Sequence, residues 1–287
     1  MGPIRVFGLG AREMTRLGPA VFVLWVADIL FALLAMLPLA FLIDRELAHS
    51  FWGSQVRGFD FLWIGEALYG YRNLPPVLAG WSLGAAGLFF LVSVFLNGGV
   101  VGRLAAGERV TPAGFFSDCG RFFWRFVRLF VLSLPVYIVV LALFSRLLSA
   151  ALKSVYDNAA TEWTTLIVSN LQFLAVVLVF SIIQMLFDYT KVRLVIDDSY
   201  QVLRSLGRTA GFVLGNFGRA WGTYLLVSLF FVFGFFVFVK VLGVIPSRGL
   251  VPAALGFLWS QAFVLFRLWT RVQYFATAFI IVRDRRR

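Results

Sequence analysis

The stretch WTTLIVSNLQFLAVVLVFSIIQMLF, Trp163 to Phe187, decides the fold, because its 25 residues include no Asp, Glu, Lys or Arg. A bilayer span needs about 20 mostly apolar residues, since a helix rises about 1.5 Å per residue across about 30 Å of hydrocarbon. Backbone N–H and C=O groups find no water there, so such a run must be helical. The run does not alternate apolar with polar residues, which excludes the short strands of a membrane barrel. Asn73 to Gly102 and Ala220 to Val239 are likewise free of charge.

Working outward, the apolar pattern predicts a single all-α, polytopic membrane domain over residues 1–287, with six transmembrane helices. They are expected at about 18–43, 76–99, 126–147, 163–187, 220–242 and 252–282. Pro19 suits a helix start and Pro38 should kink the first span. The apolar stretch after the basic N-terminus is too long for a signal-peptide h-region and reads as an uncleaved span. Composition agrees: 61% of residues are apolar and 14% charged, against about 45–50% and about 25% in soluble domains. The single cysteine, Cys119, excludes an internal disulfide.

The net charge of +12 would suggest nucleic acid in a soluble protein, but its distribution follows topology. Nineteen of the 26 Lys and Arg residues fall on the N-terminal tail, the span two–three and four–five connections and the C-terminal end. The positive-inside rule places those segments, and both termini, in the cytoplasm. No nucleic-acid partner is needed. Tryptophans fit this arrangement, with Trp81, Trp163 and Trp259 near outer edges and Trp124, Trp221 and Trp269 near inner ones.

Both inner connections are expected to carry an amphipathic helix in the headgroup layer. The first should be capped by Thr111 with Pro112 at N1. The second should be capped by Asp198, with Gln201 completing a capping box. Val202, Leu206, Ala210, Val213 and Phe217 would share one face of that second helix, opposite Arg204 and Arg208, with Phe212 out of place. Each connection leaves the membrane at Arg-Leu and returns after Gly-Arg, which hints at a duplicated hairpin. The outer segment 44–75 should form a short interfacial helix over 59–69.

The segment FLNGGVVGRLAAGERVTPAGFFSDCGRFFWRFVRL, Phe95 to Leu129, resembles a pattern in uncharacterised multi-pass bacterial inner-membrane proteins. DYTKVRLVIDDSYQVLRSLGRTAGFVLGNFGRAWGTYLL, Asp188 to Leu226, is similar to the second half of the same group. More distantly, both resemble the membrane domain that accompanies some glycerophosphodiester phosphodiesterases. The resemblance implies a bacterial inner membrane and no activity, since the chain carries no phosphodiesterase catalytic domain.

Few residues point to chemistry. Asp28 lies inside span one, where a charge costs about 2.5–3.5 kcal/mol on insertion scales. Arg267 and Arg271 lie at a comparable depth in span six, so an intramembrane ion pair of Asp28 with Arg267 is expected, either a structural lock or a proton or cation site. Arg121, Arg125 and Arg128 form an inner-edge stripe flanked by aromatics. With Arg204 and Arg208 they are candidate contacts for anionic lipid headgroups, each basic residue contributing about 1 kcal/mol near such a surface, although ordinary inner-edge anchoring is the plainer reading of the stripe. Asn97, Asn170, Gln172, Gln184 and Gln261 suit interhelical hydrogen bonds. Gly80 with Gly84, and Gly98 with Gly102, have small-xxx-small spacing.

His49, the single histidine, lacks the convergent ligands of a zinc site, and Ser50 and Ser54 beside it do not make a triad. No catalytic, cofactor or metal constellation is expected. The reading is a non-enzymatic scaffold, assembly or lipid-organising component, with membrane lipids and a membrane protein as compatible partners. The competing reading is a small transporter or lipid translocator built on Asp28 and the polar residues of spans four and six.

Overall fold

In the computed structural model the residues described are 2–42, 74–157, 161–246 and 249–284. They form eight helices and no strand. In chain order these are α1 (Pro3–Arg16), α2 (Gly18–Leu42), α3 (Leu74–Ala106), α4 (Pro112–Asp157), α5 (Glu162–Ile196), α6 (Val202–Leu214), α7 (Phe217–Val244) and α8 (Leu250–Asp284). Six of them, α2, α3, α4, α5, α7 and α8, are long and apolar enough to cross a membrane. The chain is a multi-pass, all-α membrane bundle. The first and last described helices, α1 and α8, pack together, and their end of the bundle is the base. The expected outer interfacial helix, with His49, Ser50 and Ser54, lies outside the described residues.

Over the described residues every predicted span lies within an observed helix, but most helices run on toward the base. The 46 residues of α4 rise about 69 Å, more than twice the hydrocarbon thickness. Burial is confined to the base half: Ala20 and Leu24 on α2, Val94–Leu104 on α3, Phe115–Leu129 on α4, Met185–Val195 on α5 and Leu268–Val282 on α8 contribute to it. Beyond it the helices expose large apolar side chains such as Leu33, Val139, Leu171, Phe233 and Leu258. Lipid tails are as apolar as leucine, so nothing drives those upper faces together.

Two corrections follow at the base. The first of the two expected interfacial helices is not separate. Thr111 does cap it, its Oγ1 accepting the Gly114 N–H at 3.3 Å, but the helix continues unbroken into the span as α4. Asp118, Arg121 and Arg125 are each paired with an opposite charge from elsewhere in the bundle, so they do not end it. The second exists as α6, capped at Gln201 rather than Asp198 and without a side-chain cap bond. It buries Val202, Ser205, Thr209 and Val213, and Phe212 is occupied beneath the Arg193 guanidinium, 5.9 Å from its ring. The two inner connections are therefore built differently.

The N-terminal tail is itself a helix. Val6, Gly10 and Met14, four residues apart, are buried. A Cβ on Gly10 would sit 3.0 Å from Gln273 and from Thr277, and Gln273 Nε2 donates to the Phe7 carbonyl at 2.8 Å, which binds α1 to α8. Between α3 and α4, a Cβ on Gly99 would meet Cys119 Sγ at 2.5 Å and one on Gly102 the Asp118 carboxylate at 2.7 Å. Gly98 touches the same backbone, whereas Gly80 and Gly84 face open space. Pro38 lies inside α2 and cannot donate to the Leu34 carbonyl one turn earlier. Trp81 Nε1 donates to that oxygen at 3.0 Å instead, satisfying a group that lipid could not.

Candidate functional site

The base end holds three polar assemblies. In the first, Arg267 donates to Asp28 at 2.6 Å. The pair lines a 350 Å3 cavity between α2, α3 and α8 that also contains Ser82, Gln261 and Phe89. Asp28 is largely covered, while the Arg267 side chain is 51% exposed, so the arginine reaches outward along its own stem. Trp25 Nε1 donates to Gln261 Oε1 at 3.0 Å, tying α2 to α8 beside the pair.

The second lies on the other side of Phe89, in a 280 Å3 cavity between α3, α4, α5 and α8. Asn97, Tyr137, Gln184, Lys191 and Arg271 line it. Lys191 donates to Asp188 at 2.8 Å, and Tyr224 donates to the other oxygen of Asp188 at 3.4 Å. Tyr137 donates to Gln184. Arg271 donates to no described residue, and Asn97 Oδ1 is buried without a partner. The run of uncharged residues ends at Phe187, so Asp188 and Lys191 read from sequence as an inner boundary. Here α5 continues past them to Ile196, and both face inward. Their spacing of three on a helix, an ion-pair spacing, was the available signal.

The third assembly corrects the lipid stripe. Arg121 and Arg125 both donate to Asp198, each at 2.6 Å. Arg125 is 1% exposed, with the Tyr200 ring 3.7 Å from its guanidinium carbon, so it cannot meet headgroups. Asp198 closes α5. Its N–H bonds the Val195 carbonyl at 3.3 Å and the Ser199 N–H bonds that of Leu194 at 3.2 Å, a Schellman pattern whose left-handed position is usually glycine. Asp198 takes that position with φ 45°. The hydrogen bond from Arg125 leads in holding its carboxyl below the usual range; the slight burial opposes, and Arg121 reinforces it.

Arg128 and Arg204 are placed differently. Both line a groove of 990 Å3 on the outside of α4, with Trp124, Val131, Pro135 and Leu203 as its walls. Neither is paired with a carboxylate among the described residues; Arg204 reaches only Gln201, at 3.5 Å. Arg208 is exposed beyond the groove, where its carbonyl accepts from Arg193 at 2.9 Å. Among the described residues no group of three or more His, Cys, Asp or Glu could hold a metal ion.

Fold and assemblies together define a polytopic helical membrane protein with charged groups gathered inside one end. Comparison with known protein families, curated proteins and solved structures finds no match.

Proposed function

We propose that the chain is a non-enzymatic, lipid-organising component of a bacterial inner membrane, with both termini cytoplasmic and anionic headgroups gathered at its base. One observation carries this reading: Arg128 and Arg204, from different helices, open onto one apolar groove with no carboxylate among the described residues paired to either. Guanidinium groups bind phosphate through two parallel hydrogen bonds. Val131 and Pro135 continue the groove toward the hydrocarbon for an acyl chain, and Trp124 suits the interface. At about 1 kcal/mol per basic residue, losing both arginines should weaken anionic-lipid retention about 30-fold. Native mass spectrometry of protein released from mixed phosphatidylglycerol and phosphatidylcholine nanodiscs tests this. Arg128→Gln with Arg204→Gln should shed phosphatidylglycerol while Arg5→Gln with Arg12→Gln keeps it. Equal loss in both pairs means general basic anchoring and no dedicated site.

A second reading, translocation, is favoured by two cavities that meet at Phe89 and each carry charged side chains. It requires lipid or solute flux in proteoliposomes that Asp28→Asn abolishes. Without such flux the first reading stands alone.

A further inference from the structure

A positive charge inside a bundle is expensive, and an intramembrane ionisable group marks a functional site by default. Around the 280 Å3 cavity between α3, α4, α5 and α8 the charges do not cancel. Arg267 is bonded to Asp28 and Lys191 to Asp188, so three cations share two carboxylates, and Arg271 feels the charge of both Asp188 and Asp28 without bonding to either. Its guanidinium lines the cavity and donates to no described residue. The other polar groups point to the same chemistry. Gln184 Oε1 is taken by Tyr137, so its amide protons remain to be accepted, and the Lys191 ammonium spends one of its three protons on Asp188. The space is therefore rich in donors and has one more positive than negative charge around it. The exception is Asn97 Oδ1, a buried acceptor without a donor. At 280 Å3 the cavity lies just below the usual ligand range of about 300–1,000 Å3, so a small occupant is required.

We infer that this cavity binds a phosphate-type oxyanion, with Arg271 and Lys191 holding its charged oxygens and Asn97 Oδ1 accepting from a protonated oxygen or hydroxyl of the ligand. The oxyanion is a free phosphate or the headgroup phosphate of a lipid, since both present the same atoms. Gln184 supplies a neutral donor on the α5 side. The site does not rest on the Arg128–Arg204 groove, and either can fail without the other.

The test uses the full chain with Arg128→Gln and Arg204→Gln as background, which removes the groove from the readout. Ligands that bind the folded state raise its melting temperature, followed here by tryptophan fluorescence in phosphatidylcholine nanodiscs. One arm titrates inorganic phosphate against chloride at matched ionic strength; the other replaces part of the phosphatidylcholine by phosphatidylglycerol. Stabilisation in the first arm identifies a free oxyanion, and in the second alone a lipid headgroup. In either case Arg271→Gln should weaken the response at least about tenfold, the loss expected for a charge-assisted bond. Ser93→Leu, which fills the cavity without touching a charge, should do the same and serves if Arg271→Gln does not fold. No stabilisation in either arm, or a response that survives these substitutions, overturns the site.

Discussion

Asp198→Ala is expected to destabilise the base by about 2–3 kcal/mol. Removing one partner of a buried ion pair costs about 3–5 kcal/mol, because the other charge is left without compensation. Arg125 meets that condition: it is 1% exposed, and among the described residues Nε and Nη2 lack partners and its one hydrogen bond goes to Asp198. The figure is reduced because the Asp198 side chain is half exposed, so water can partly replace it. The Arg121 arm, exposed on both sides, adds at most about 1 kcal/mol. Backbone conformation separates the variants further. A non-glycine residue at positive φ costs about 1–2 kcal/mol, so Asp198→Gly should be the milder change by about that amount, and Asp198→Asn, which keeps an acceptor, milder still.

Reversible unfolding in mixed micelles measures the series. The same carboxylate sets a pH limb. Its folded pKa is depressed, so its contribution is complete above the unfolded value of about 3.9 and is lost as pH falls through the folded one. Asp198→Asn should flatten that acid limb. If Asp198→Ala stays within about 0.5 kcal/mol of the parent, the range of an ordinary surface change, the fork holds nothing together and the reasoning fails.

Exchanging Asp28 and Arg267 (Asp28→Arg with Arg267→Asp) should recover folded yield that either single reversal loses, as measured by size-exclusion chromatography. Failure to recover would show that position as well as charge is fixed there. Gly99→Val places methyls where Cys119 and Phe115 already sit, an overpacking cost of about 1–3 kcal/mol, read in the same unfolding assay. Gly84→Val, with nothing near it, should be close to silent. Trp81→Phe removes the donor to the Leu34 carbonyl and should cost about 1 kcal/mol, the scale of an interhelical bond in a membrane.

The six spans were legible because lipid imposes a length and forbids charge, and both constraints are written along the chain. Their lower ends were not. Charges such as Asp118 and Asp188 read as boundaries, yet Arg103 sits 2.6 Å from the first and Lys191 2.8 Å from the second, so the helices run on through them. Asp28 stood out as a lone charge in a long apolar run, which made its pairing with Arg267 foreseeable. Arg271 belonged to the same reading, but its convergence with Lys191 and Asn97 depends on how α3, α5 and α8 cross, and no spacing within one segment encodes that. The arginine stripe misled for a related reason. Periodicity places Arg121, Arg125 and Arg128 on one side of a helix, while the carboxylate that claims two of them comes from another connection. The Val6, Gly10 and Met14 stripe of α1 was readable at helical spacing and passed as a charged tail.

Labelling of tags at the two chain ends with a membrane-impermeant reagent tests the arrangement most directly. Six alternating spans predict that both tags lie on one side of the membrane, the proposed cytoplasmic orientation adds that both stay unlabelled in intact cells until the membrane is opened, and the chain should leave the membrane only with detergent. One tag reacting in intact cells while the other is protected, or recovery of the chain in a detergent-free soluble fraction, would contradict it.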